Sequence, residues 1–133
     1  MDFEPAEPAS TRRSLLGAAG LAGLLGTAVA AALSAGFIPI RKPKKLPHDT
    51  HAIEYGLEYG TDKLEVHTDA VTDGQRVLMV DDLLATGGTM EAGLSLIRKI
   101  GGDPVACVFV IELLFLSGRS RLDAPSHSLL KVD

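Results

Sequence analysis

The segment Val77-Leu78-Met79-Val80-Asp81-Asp82-Leu83-Leu84-Ala85-Thr86-Gly87-Gly88-Thr89 constrains this chain more than any other. Arg76 to Val80 is apolar and partly β-branched, which predicts a short buried strand. Asp81 to Gly88 reads as a loop. Thr89 is placed to cap a helix over Met90 to Ile100, where Leu94, Ile97 and Ile100 recur at helical spacing. Gly101-Gly102 stops that helix. A second apolar strand follows at Val105 to Leu113, and a final one at Ser128 to Val132. Apolar strands separated by a helix imply an α/β fold with a parallel sheet covered on both faces.

The strand-to-loop junction carries the chemistry. Gly87 and Gly88 let the backbone turn so that several N–H groups point into one concavity. The following helix adds partial positive charge at its N-terminus. Thr86 and Thr89 bring hydroxyl donors, so Ala85 to Thr89 form a candidate phosphate loop. Asp81 and Asp82 would repel a bare phosphate. Ribose hydroxyls, or a magnesium ion bridging to the ligand, give two carboxylates a role there. The loop therefore suits a sugar phosphate. It lacks the lysine of a Walker A loop.

The remaining chain sets bounds. Its 133 residues suffice for one domain. A net charge of -4 argues against a nucleic-acid binder. The single cysteine, Cys107, lies in an apolar run and reads as a small buried hydrophobe. His48, His51, His67 and His127 show no metal-ligand spacing, so no direct protein-held metal is expected. His48 to Asp73 is polar and loop-like, and Leu116 to Leu122 reads as a short helical or irregular connection with Arg119 and Arg121 solvated.

With these residues in view, the chain resembles the adenine phosphoribosyltransferase branch of the type I phosphoribosyltransferases. Val80 to Thr89 is similar to that family's phosphoribosyl pyrophosphate (PRPP) motif. Phe37-Ile38-Pro39-Ile40-Arg41-Lys42 and Lys45-Leu46-Pro47 resemble its strand and basic loop. Leu57-Glu58-Tyr59-Gly60 resembles its mobile loop, and Ile111-Glu112-Leu113 with Gly118-Arg119 its next strand and turn. The resemblance implies a type I phosphoribosyltransferase core lacking the N-terminal hood. It implies synthesis of AMP and pyrophosphate from adenine and PRPP, with magnesium bound alongside PRPP. Ala85, Thr86, Gly87, Gly88 and Thr89 would then hold the 5-phosphate, and Asp81 and Asp82 the ribose hydroxyls. Glu58 would act as acid or base at the purine, and Tyr59 would close the lid. Arg41, Lys42 and Lys45 would contact pyrophosphate. A homodimer in the cytoplasm is also implied.

The N-terminal part differs from the family. Gly20-Leu21-Ala22-Gly23 stands where the family has Ala-Arg-Gly-Phe. From Ser14 to Ile40 there is no charged residue, and Arg12-Arg13 precede this stretch. It reads either as a twin-arginine-like export signal or membrane span, or as a buried helix near Leu24 to Leu33 leading into a strand at Phe37 to Ile40. The soluble reading is preferred. Composition accordingly divides the chain into an atypical segment, 1–23, and a core, 24–133.

Overall fold

The computed structural model describes residues 17–20, 23–41, 50–57 and 60–133. In chain order these form β1 (Gly17–Gly20), α1 (Gly23–Ala32), β2 (Phe37–Pro39), β3 (Thr50–Leu57), β4 (Gly60–His67), β5 (Arg76–Leu84), α2 (Gly88–Lys99), β6 (Asp103–Leu113) and β7 (Ser126–Val132). Two short 3-10 turns, Leu114–Leu116 and Gly118–Arg121, link β6 to β7.

Five strands make one parallel sheet in the order β2-β1-β5-β6-β7. The expected parallel α/β sheet is therefore present. Right-handed crossovers place the helices. The chain steps from β1 through α1 to β2 in one direction, and from β5 through α2 to β6 in the other. The helices therefore cover opposite faces. Strand β5 reads this way residue by residue. Val77 and Met79 join the core under α2, while Val80 packs with Ala30 of α1 and with Leu78. A strand buried on both sides must be apolar on both sides, which explains the unbroken Val77 to Val80 run.

Helix α2 buries Met90, Leu94 and Ile97 along one face, with Leu96 beside them, against Val77, Met79, Cys107 and Phe109. Cys107 is fully buried, as its setting predicted, and burial pushes its thiol up to about 11. Gly101 ends the helix with a φ of 98°, a left-handed turn that glycine accepts at no steric cost.

Three expectations change. Strands β3 and β4 pair antiparallel, in register from Thr50 opposite His67 to Leu57 opposite Gly60, where a polar loop was expected. Only Leu64 and Val66 of the described side chains on β4 are deeply buried, with Glu65 between them. That alternation is a half-buried strand. The backbone of Arg41 pairs with Glu65 at 2.9 and 2.6 Å, which ties this strand pair to the end of β2. Second, β5 continues through Leu84, so Asp81 and Asp82 lie within a strand that pairs with β6 rather than in a loop. Third, α2 begins at Gly88 with Gly87 as its N-cap, and Thr89 sits inside the first turn.

Gly17–Gly20 lies within the compositionally atypical stretch 1–23, yet as β1 it pairs with both β2 and β5. Helix α1 has ten residues, and no described helix is long and apolar enough to cross a membrane.

Candidate functional site

Adjacent strands β1 and β5 lead to crossovers that run in opposite directions. Such a switch point opens a crevice beyond the carboxyl ends of the two strands, where open α/β sheets bind ligands. The described part of the crevice belongs to β5 and α2. A cavity of about 230 Å³ there is lined by Asp81, Asp82, Ala85, Thr86, Gly87 and Thr89, and closed by Leu83, Leu84 and Met90. The structure thus gathers all the predicted loop residues except Gly88 along one wall. Gly88 is buried as the first residue of α2.

Gly87 shapes the cup. Its φ of 89° is left-handed, and the backbone of Gly118 packs directly against it. The turn puts the N-terminus of α2, with its partial positive charge, beside the cavity, where Gly87 and Thr89 form part of the lining. Glu91 N–H closes the first helical bond onto the Gly87 carbonyl at 2.9 Å.

Asp81 and Asp82 differ in state although they are neighbours. Asp82 is exposed, whereas Asp81 is half-buried. Burial pushes the Asp81 carboxyl up to about 7. The Asp82 amide, which donates to its Oδ1 at 2.9 Å, opposes that rise, and the Asp82 carboxylate adds to it. Because the folded value lies above the free value of 3.8, the folded protein retains a proton that the unfolded chain loses between 3.8 and about 7. The resulting stability is complete below that window and declines as pH rises through about 7. Melting temperature should therefore fall less between about pH 5 and pH 8 in Asp81→Asn than in the parent chain. Parallel profiles would show that Asp81 ionises freely.

The other predicted residues fall differently. Arg41 is exposed, and its guanidinium stands beside Gly23 at the start of α1, 3.9 Å from where a Cβ on that glycine would lie. It stands at the start of α1 and is not among the residues that line the cavity. Lys42, Lys45, Glu58 and Tyr59 lie outside the described residues, Glu58 and Tyr59 between Leu57 and Gly60 in sequence.

Sequence reasoning missed one group beside the loop. Glu112, expected only as part of a strand, is a buried carboxylate paired with Arg119. Arg119 keeps a side chain that is 39% exposed, as expected, and is also the ion-pair partner of that carboxylate. Arg121 likewise meets Glu91 of α2 at 2.9 Å, in an exposed pair. An acid inside an apolar strand cannot stay charged without a partner, and that was the available signal.

Comparison with known proteins agrees with this geometry. The phosphoribosyl transferase domain family matches residues 12–133. An adenine phosphoribosyltransferase from a Methylobacterium species is 55% identical over 113 residues, covering 83% of this chain and 62% of the relative. One from a Bradyrhizobium species is 54% identical over 113 residues, covering 83% and 63%. The chain thus spans less than two-thirds of the length of these curated relatives. The crystal structure of adenine phosphoribosyltransferase from Thermoanaerobacter pseudethanolicus superposes with a TM-score of 0.85 at 48% identity, over 96% of this chain and 76% of that one. The Saccharomyces cerevisiae enzyme, solved with adenine and an imino-altritol bisphosphate, superposes with a TM-score of 0.81 at 38% identity, over 86% and 66%. A parallel sheet with its cup at the switch point, the lining of that cup by Asp81 to Thr89 other than Gly88, and these matches together place the chain in the adenine phosphoribosyltransferase family of phosphoribosyltransferases.

Proposed function

We propose that this chain transfers a phosphoribosyl group from PRPP to adenine, giving AMP and pyrophosphate in purine salvage. The cup at the β1/β5 switch point carries the reading. It joins a helix N-terminus for a phosphate to two carboxylates within reach of the same cavity. Ala85 to Thr89 hold the 5-phosphate, and Asp81 and Asp82 accept hydrogen bonds from the ribose hydroxyls. Arg41 meets the pyrophosphate from the start of α1, with Lys42 and Lys45 following it in the chain. Glu58 serves the purine as acid or base, and Tyr59 helps exclude water from the activated sugar. The protein acts in the cytoplasm as a homodimer.

Magnesium fits this site as a companion of the substrate. Among the described residues no group of three or more His, Cys, Asp or Glu side chains could hold a metal. An ion carried by substrate phosphates needs only one or two carboxylates, which Asp81 and Asp82 supply. When bound, it neutralises charge on the diphosphate.

A second reading is that the chain binds AMP or PRPP without turnover. It is favoured by Leu21, which stands where the family places an arginine. AMP formation by the purified chain, from adenine and PRPP with magnesium, separates the two. Turnover lost in Glu58→Ala supports the enzyme. Absent turnover in a folded sample that still binds AMP selects the binding module. In either case Asp82→Asn should weaken PRPP binding by about 10-fold with the fold intact. Unchanged affinity would remove Asp82 from the ribose contacts.

A further inference from the structure

The cup is not built by its own loop alone. Behind it, Ala85 to Gly87 pack backbone to backbone on the second 3-10 turn. A Cβ on Gly118 would collide with the Ala85 carbonyl oxygen and crowd the Thr86 carbonyl carbon at 2.9 Å and the Gly87 nitrogen at 3.0 Å. A Cβ on Gly87 would in turn collide with the Gly118 carbonyl. Neither side has a flexible side chain in the contact, so the place of one backbone sets the place of the other.

The turn has a fixed anchor. Arg119, next after Gly118, donates from Nη2 to Glu112 Oε1 at 2.6 Å and from Nε to Oε2 at 3.1 Å. Its Nη1 also donates to the Ser126 carbonyl. Ser128 Oγ donates to Glu112 Oε1 at 2.9 Å. This bidentate pairing needs the planar guanidinium fork, which lysine cannot reproduce. The hydrogen bonds from Arg119 hold the Glu112 carboxyl below the usual carboxylate range. Glu112 stands opposite Leu84, the last residue of β5 before the loop. On the other side of Gly118, Ser117 takes a left-handed φ of 52°, a conformation that a non-glycine residue keeps when its surroundings hold it.

We propose that Glu112 and Arg119 are positioning residues for the phosphate loop, fixing through Gly118 the backbone shape that Ala85 to Gly87 present to the ligand. This rests on reading that loop as the 5-phosphate site. It explains why a charged pair is kept at the sheet end nearest the cup, where apolar residues would serve packing equally well.

The test is ribose 5-phosphate binding to the full chain by calorimetry, with backbone amide spectra of the ligand-free protein. Arg119→Lys should weaken binding about 10-fold and shift the Ala85, Thr86 and Gly87 amides before any ligand is added. Ile97→Val, a core change that lowers the melting temperature without touching the turn, should leave affinity and those amides in place. If Arg119→Lys does not fold, Ser128→Ala removes one bond to Glu112 and should weaken binding about 3-fold. A folded Arg119→Lys that binds as tightly as the parent overturns the positioning role alone. So does an affinity loss in Ile97→Val equal to that in Arg119→Lys. A parent chain that fails to bind ribose 5-phosphate overturns the phosphate site and the positioning role together.

Discussion

Gly87→Ala is expected to weaken ribose 5-phosphate binding by about 100-fold, more than any other single change in the loop. Two costs meet at this position. An alanine at a φ of 89° occupies a left-handed conformation that disfavours a Cβ by roughly 1–2 kcal/mol. The added methyl also strikes the Gly118 carbonyl, whose own backbone has no room to retreat from Ala85. Relief requires the loop to move, and the loop is the proposed phosphate cup. Helix α2 begins only after Gly87, so the fold should survive. Circular dichroism unchanged beside a lost calorimetric signal is the expected pair of results. Parental affinity would mean that the N-terminal amides of α2 do not form the site.

The largest expected loss of stability comes from Ile97→Ala. Ile97 is fully buried at the middle of the α2 core, and its Cγ2 sits 2.6 Å from where a Cβ on Gly102 would lie. The Gly102 amide also closes the helix end onto the Ile97 carbonyl at 2.9 Å. Truncation removes three carbons from a place where helix and following turn are packed together, so the cavity cannot collapse readily. Such changes cost roughly 2–5 kcal/mol, against a total stability of roughly 5–15 kcal/mol for ordinary domains. Thermal unfolding should show a fall in melting temperature of about 10 °C. A fall under about 2 °C would show that α2 repacks.

The centre of the fold was legible because its signals are local. Val77 to Val80, the carboxylates, the glycines and the spacing of Leu94 and Ile97 lie in one continuous stretch. Strand, cup and helix follow from them in order. The strand end was read too early because Asp81 and Asp82 look like loop residues, whereas β5 runs on through both and still pairs with β6 at Asp81, Leu83 and Leu84. The pairing of β3 with β4 was missed because its stabilising contacts are distant. Leu64 and Val66 gain their burial from the α2-side core, and Arg41 supplies the backbone partner of Glu65. Glu112 and Arg119 were read as strand and surface because seven positions of sequence say nothing about a bond that only the turn at Ser117 creates. In β1, Gly17-Ala18-Ala19-Gly20 has too little side chain to display strand character, and its pairing with Val77 to Val80 comes from across the sheet.

The unequal cores on the two sheet faces bear on how the native protein opens. Among the described residues the α2 face buries sixteen in one cluster, whereas the α1 face has Ala30 and Val80 as its buried pair. Of helix α1 itself only Gly26 and Ala30 are buried, and it has neither an acidic first turn nor a basic last turn. Local unfolding begins where few apolar contacts oppose it. Native-state hydrogen exchange should therefore release the amides of α1 well before those of α2, and equal protection would show that something more covers α1. The crevice is then two halves of different permanence. The proposed phosphate cup on β5 and α2 would persist through fluctuations that expose the start of α1 at Gly23, so a ligand gripping both would tighten the weaker one as it binds.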